Sequence, residues 1–178
     1  SLKAKFNLTQ ILYLQNNYSE AQKQAEKLLT NEPNSYRLFM LLGNSLLAQK
    51  KFDLALDIFL KAESLSEKSP IATEQIITLY RMTDKLDLAL VELKSLSRQF
   101  FLEPKYIQQK AEIFVQQKKY DLAAREFNIL SDLWSGNHQL LLVLGQMQRT
   151  AKLYPDAEVS LIKSLAIKPN FHFAGIEL

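Results

Sequence analysis

Apolar residues lie three or four positions apart along most of the chain, which is the spacing of an amphipathic helix. Leu38, Leu42 and Leu46 form one such stripe, and Ala55 and Phe59 begin the next. The pattern also repeats, because one phrase occurs three times: KKFDLALDIFLKA, KLDLALVELKSL and KKYDLAAREFNIL. The sequence therefore predicts a series of similar helical units.

Aligning the three phrases gives a period of 34 residues, as from Ala21 to Ala55. No insertion interrupts this period. One column contains only alanine: Ala21, Ala55, Ala89, Ala123 and Ala157. A mostly small column precedes it: Thr9, Gly43, Ile77, Ala111 and Gly145. An apolar column follows it: Ala25, Phe59, Leu93, Phe127 and Leu161. Small residues on two helices let the backbones approach, so each unit is predicted to be a helix hairpin with the alanine buried at the crossing.

Five hairpins are predicted, with helices at 3–15 and 19–31, 36–49 and 53–66, 70–83 and 87–100, 104–117 and 121–134, and 138–151 and 155–168. Pro70 and Pro104 stand at expected first helical positions, where a missing N–H costs nothing. Side-chain oxygens are expected to cap the second helices, at Ser19, Asp53, Asp87 and Asp121. One hairpin cannot bury both of its apolar stripes, so neighbouring hairpins must stack.

This pattern resembles the tetratricopeptide repeat family, whose units of 34 residues carry W-x2-L-G-x2-Y, then A-x3-F, then P. The second copy matches best, at Phe39, Leu42, Gly43, Leu46, Ala55, Phe59 and Ala62. The first copy departs from the pattern at Thr9 and Ala25, and the third at Ile77. The resemblance implies an all-α, right-handed solenoid of antiparallel helix pairs. The repeats would span 2–35, 36–69, 70–103, 104–137 and 138–171, and 172–178 would begin a further, truncated helix.

Composition excludes several classes of function. The chain of 178 residues is 47% hydrophobic and 23% charged, and its net charge of +3 is too small for a nucleic-acid-binding footprint. The longest apolar runs, LFMLL and LLLVL, are too short to span a bilayer, so no membrane insertion by this segment is expected. There is no cysteine, and no signal-peptide core opens the chain. Because the first residue is Ser1, we expect a cut or processed N-terminus. A cytoplasmic and a periplasmic location fit equally well.

Candidate catalytic chemistry is sparse. His138 and His172 are the two histidines, and neither has a carboxylate or a second histidine at ligand spacing. No GxxxxGK, GxSxG or HExxH motif occurs. The sequence therefore predicts a protein that is not an enzyme and that has no cofactor or metal.

The resemblance implies a concave groove lined by the first helix of each repeat. The residues predicted to contact a partner there are Arg37, Met40, Asn44, Gln75, Thr78, Arg81, Lys105, Gln108, Gln109, Glu112 and Gln146. The same positions of the first repeat carry Lys3, Phe6, Asn7, Gln10 and Tyr13. Amides both donate and accept hydrogen bonds, so this lining suits the backbone of an extended peptide. A solvated helix face that tolerates glutamine explains the same residues nearly as well.

The subclass of the family that clamps a chaperone's C-terminal carboxylate is not expected, because Met40, Asn44, Gln75, Lys105 and Gln109 match only two of its five positions. Two segments carry aromatic residues where proline is usual. These residues, in QFFLEP and LWSGN, are Phe100, Phe101 and Trp134. We expect them to fill gaps under loops, and the alternative is an exposed patch for a protein contact.

The interpretation favoured by the sequence is a protein–protein interaction scaffold that binds a peptide or a helix. One alternative is a structural array that assembles with itself or spaces the domains of a larger chain. Another is an accessory module of a fused enzyme or of a bacterial envelope or export system. End-to-end self-association is also expected, because the last four large apolar residues lack a following helix: Phe171, Phe173, Ile176 and Leu178.

Overall fold

The computed structural model describes residues 1–66 and 69–169. Within these ranges the chain forms ten α-helices and no β-strand. The helices are α1 (Leu2–Leu14), α2 (Tyr18–Leu29), α3 (Tyr36–Ala48), α4 (Phe52–Ser64), α5 (Ile71–Met82), α6 (Leu86–Gln99), α7 (Pro104–Gln116), α8 (Tyr120–Leu133), α9 (His138–Thr150) and α10 (Tyr154–Ile167). Every observed boundary lies within two residues of the predicted one, and the predicted all-α fold is confirmed. The predicted helix at 172–178 and the self-association residues Phe171, Phe173, Ile176 and Leu178 lie outside the described residues.

The chain divides into two compact units, one from Ser1 to Glu92 and the other from Leu93 onward. In the first, unit 1, successive helices from α1 to α5 pack against each other, and α1 also contacts α3. Its core contains Ala25, Leu42, Leu46, Ala55, Phe59, Ile76 and Leu79. In unit 2, helices α7 to α10 pack in the same successive manner. Its core contains Ala111, Ala123, Phe127, Leu130 and Leu144.

The alanine column is buried, as the sequence predicts. Ala21, Ala55, Ala89 and Ala123 have no solvent exposure, and Ala157 is 4% exposed. A methyl group at these positions keeps the second helix of each hairpin close to its neighbours, where a longer side chain has no room.

The two glycines of the small column fit against large side chains of the following helix. A Cβ atom built on Gly43 would lie 2.6 Å from Cε1 of Phe59, and one built on Gly145 would lie 2.7 Å from Cγ of Leu161. In the first hairpin Thr9 takes the place of the glycine and Ala25 that of the large side chain, and both are buried. The absence of a side chain at Gly43 and Gly145 therefore makes room for a bulky residue on the partner helix.

The turn within every hairpin has three residues and the same backbone conformation. Its middle residue has a positive φ in all five cases: Asn16, Lys50, Asp84, Lys118 and Lys152, with φ between 57° and 63°. The next residue donates its backbone N–H to a carbonyl in the last turn of the first helix, as from Lys51 to Leu46 (3.0 Å) and from Lys119 to Phe114 (2.8 Å). This is the Schellman arrangement, which satisfies carbonyls that the end of a helix leaves without a partner.

These turns correct the predicted N-caps. Because the second helices begin at Tyr18, Phe52, Leu86 and Tyr120, the residues Ser19, Asp53, Asp87 and Asp121 lie inside the first helical turn. Asn17 caps α2 by accepting a hydrogen bond from the Glu20 N–H at 3.4 Å. The three aspartates still stabilise their helices, because their negative charge lies near the positive end of the helix dipole. Pro104 begins α7 as predicted, whereas Pro70 precedes the first residue of α5.

Candidate functional site

A hollow of about 610 Å³ lies between α1 and α3 of unit 1. Three of the predicted partner-binding residues line it, namely Arg37, Met40 and Asn44. The positions that the sequence assigns to the groove of the first repeat also line it: Lys3, Phe6, Asn7, Gln10 and Tyr13. Its volume is within the range of about 300–1,000 Å³ that is usual for ligand-binding pockets.

Helical spacing brings these residues together. Residues three or four positions apart share one face of a helix, which is how Lys3, Phe6 and Gln10 of α1 come to face one hollow. On α3 the same spacing places Arg37, Met40 and Asn44 on one face. The opposite face of α3 carries the buried Leu38, Leu42 and Leu46, whereas Leu41, also buried, lines the hollow. The packing that forms the hairpin therefore also orients the residues of the hollow.

Two tyrosines of the hollow are held in place by contacts outside it. The Tyr36 hydroxyl is hydrogen bonded to the Ser69 hydroxyl at 3.2 Å. The ring of Tyr13 contacts that of Tyr18, with centroids 5.4 Å apart and an angle of 60° between the planes. Sequence reasoning missed Tyr36, Leu14 and Ile71 as lining residues. Tyr36 depends on a contact with a residue 33 positions away, for which the sequence carries no local signal.

The hollow is positively charged. Lys3 and Arg37 are its charged residues, and none of the residues that line it is acidic. Neither cation forms an ion pair within the described residues. A neighbouring hollow of about 190 Å³ shares Lys3, Phe6 and Arg37 and contains one carboxylate, that of Glu32.

The predicted partner-binding residues of α5 do not line this hollow. Gln75 and Arg81 are half-buried on α5, and Thr78 is exposed with its hydroxyl donating to the Glu74 carbonyl at 2.9 Å. They remain predicted binding residues on a different part of the unit 1 surface.

In unit 2 the predicted residues lie on α7 and α9. Lys105 is exposed, and its ammonium group lies 4.8 Å from the centre of the Tyr106 ring. The Gln108 amide donates to the Glu112 carboxylate at 3.0 Å, which uses part of its hydrogen-bonding capacity within the helix. Gln109 on α7 and Gln146 on α9 are half-buried.

The aromatic residues of the two irregular loops differ in their surroundings. Phe100 is half-buried and its ring lies 5.9 Å from that of Tyr106, so it fills a gap as expected. Phe101 is 83% exposed and Trp134 is 43% exposed, which corrects the expectation for these two residues. Phe101 is followed by Leu102, whose φ is positive at 56°.

A metal site and a membrane-spanning helix each need a feature that the described residues lack. They contain no group of three His, Asp or Glu side chains that could hold a metal ion. Of the helices described, none has both the length and the apolar content needed to cross a bilayer.

Three acidic groups interact with one another: the carboxylates of Glu63 on α4 and Glu92 on α6, and the hydroxyl of Tyr80 on α5. The Thr73 hydroxyl donates to the Glu63 carboxylate at 2.5 Å. Burial raises the pKa of Glu92, and the negative charge of Glu63 raises it further. The pKa of Tyr80 is raised by burial and then by Glu92 and Glu63. Ionised Glu92 therefore destabilises the folded state.

Glu92→Gln should stabilise the protein at neutral pH by at most about 1 kcal/mol, because the group is partly solvated. Since the pKa of Glu92 is higher in the folded state, the wild type should lose stability as pH rises above the unfolded value of about 4.3. The gain from Glu92→Gln should therefore vanish below about pH 4. Thermal unfolding at both pH values measures this, with Glu158→Gln on the exposed surface of α10 as the control. Equal gains from the two variants at pH 7 would contradict it.

Comparisons with known proteins agree with this architecture. A sequence model of the tetratricopeptide repeat matches residues 8–70 and 109–170. Among solved structures, the chain is similar to YrrB, described as a TPR protein with an unusual peptide-binding site, at 17% identity and a TM-score of 0.72, over 97% of this chain and 89% of that one. It is similar to MamA from Desulfovibrio magneticus RS-1 at 15% identity and a TM-score of 0.75, over 96% of each chain. It is also similar to a tetratricopeptide repeat protein from Parabacteroides merdae at 16% identity and a TM-score of 0.79, over 99% of this chain and 70% of that one. No curated protein sequence matches. Identities this low show the fold alone, an all-α solenoid-like array.

Proposed function

Because the chain belongs to the tetratricopeptide repeat family, we propose that it is a non-catalytic protein-interaction scaffold and that the first-helix faces bind a peptide or a helix. The observation that carries the proposal is the hollow between α1 and α3, which is lined by the positions that the repeat pattern assigns to a groove. One structure of the same fold is described as having a peptide-binding site. For the present chain, peptide binding is an inference from its own residues.

Binding would use preformed groups and no covalent step. The side chains of Asn7 and Asn44 make no hydrogen bond within the described residues, so their amides are available to a ligand. An amide offers two donors and one acceptor, which matches the alternating N–H and C=O groups of an extended backbone. Phe6 and Met40 offer apolar surface beside them. No cofactor takes part in this scheme.

The test begins with capture of partners from an extract of the source cell by the tagged full chain. Asn7→Ala combined with Asn44→Ala should weaken binding of a captured partner about tenfold, since each lost hydrogen bond is worth about 0.5–1.5 kcal/mol. Asp57→Ala, on the exposed face of α4, should leave the affinity unchanged. Calorimetry measures the affinities, and circular dichroism checks that both variants keep their helix content.

The second candidate function is a self-assembling array, and one observation favours it. Leu8 and Ile11 on α1 are about half exposed, so α1 presents apolar side chains to solvent. If the asparagine variant binds like the wild type, and Ile11→Ser abolishes a concentration-dependent association seen in sedimentation, self-assembly replaces peptide binding as the function.

A further inference from the structure

The hollow of unit 1 differs in chemistry from the equivalent positions of unit 2. Phe6 and Met40 stand where the α7 copy has Gln108, and Gln10 stands where α7 has Glu112. The hollow therefore combines two cations with aromatic and thioether surface and contains no lining carboxylate. The corresponding face of α7 is amide-rich and carries an acidic residue. Similar ligands for the two faces are not expected.

We infer that this hollow recognises a peptide in which an acidic group lies beside a large apolar side chain. The inference rests on the proposed function and adds the chemistry of the partner. The acidic group would meet Lys3 and Arg37, and the apolar side chain would rest on Phe6, Tyr13 and Met40.

The charge of the hollow supports an anionic partner. Lys3 and Arg37 lie on different helices and line the same hollow, so a ligand bound there is exposed to two positive charges. Arginine is suited to carboxylates, because its planar guanidinium donates two parallel hydrogen bonds. A basic or quaternary ammonium ligand is disfavoured, since no carboxylate lines this hollow and Glu32 lines the neighbouring one.

The apolar part of the hollow supports a large side chain. Met40 packs on the core cluster of unit 1 while still lining the hollow, and a flexible thioether adapts to ligands of different shape. Tyr13 and Tyr36 are fixed by their contacts with Tyr18 and Ser69, which lowers the entropy lost on binding. A volume of about 610 Å³ accommodates an aromatic side chain together with neighbouring backbone.

The experiment is selection of a random peptide library by the full chain, followed by calorimetry of the enriched peptides. We expect enriched sequences to carry Asp or Glu within two positions of Phe, Tyr, Trp or Leu. Lys3→Glu and Arg37→Glu should each weaken these peptides at least tenfold. Lys5→Glu, which makes the same charge change on the same helix outside both hollows, should change the affinity less than twofold. High salt should weaken binding, because exposed charges are screened.

Versions of each peptide with a free and an amidated C-terminus identify the source of the carboxylate. Equal binding of the two assigns recognition to an acidic side chain, and loss on amidation assigns it to the chain terminus. Both outcomes retain the inference. Enriched sequences without acidic residues that still depend on Asn7 and Asn44 would overturn it while leaving the proposed function intact. An absence of enrichment, or equal losses from Lys3→Glu and Lys5→Glu, would also overturn it.

Discussion

Replacing Phe59 by alanine should destabilise the protein by about 3–5 kcal/mol, the largest effect expected from a single substitution here. Phe59 has no solvent exposure and lies in the core cluster of unit 1. Its ring also occupies the space that Gly43 leaves on the facing helix, so its removal opens a cavity lined by two helices. Neither neighbouring backbone can close this cavity without separating from its other partners.

Chemical denaturation followed by circular dichroism measures the loss. Leu60→Ala on the same helix is the matched control, because Leu60 is 41% exposed and its truncation should cost about 1 kcal/mol or less. The packing of Gly43 against Phe59 would be refuted if the two variants unfolded at the same denaturant concentration.

Replacing Ala123 by leucine should destabilise unit 2 by about 1–3 kcal/mol or more, through overpacking instead of a cavity. Ala123 has no solvent exposure and belongs to the cluster of Ala111, Phe127 and Leu144. Alanine and leucine have similar helix propensities, so the loss would come from tertiary packing. The added atoms must displace a side chain or push α8 from its neighbours.

The control is Ala166→Leu, on the exposed surface of α10, which makes the same chemical change. It should alter the melting temperature very little. Equal melting of the two leucine variants would mean that the alanine column does not mark a helix crossing, and the repeat frame drawn from it would be wrong.

The fold could be predicted from the sequence because the same pattern of small and apolar residues recurs every 34 residues. Each unit repeats the same contacts, so Ala55 and Ala123 report the same geometry and errors at degenerate positions such as Thr9 do not shift the frame. The N-caps were missed because the left-handed turn at Lys50 and its equivalents starts each second helix about one residue early. That conformation is unusual for lysine, so Lys50, Lys118 and Lys152 give no sign of it, whereas Asn16 and Asp84 are of residue types that adopt it more often.

The candidate site could be predicted in part. The face of α1 and α3 follows from helical spacing, which is why Arg37, Met40 and Asn44 line one hollow. Tyr36 could not be predicted, because its place depends on how one hairpin packs against the next. Ile71 was overlooked, although it stands at the same repeat position as Lys3 and Arg37. The sequence also does not show that two predicted binding residues hydrogen bond to each other, as Gln108 does to Glu112. The boundaries of the five repeats stay a prediction.

The three-residue turns also bear on how the chain folds. Because each turn is closed by its own backbone hydrogen bond, the helices that meet are neighbours in sequence, and the relative contact order of a hairpin is low. Proteins rich in local contacts fold in microseconds to milliseconds. Folding can therefore nucleate at any hairpin and spread to its neighbours. During synthesis the α1–α2 hairpin is stabilised once the helices on which it stacks have also left the ribosome, so unit 1 can fold before α10 has been translated.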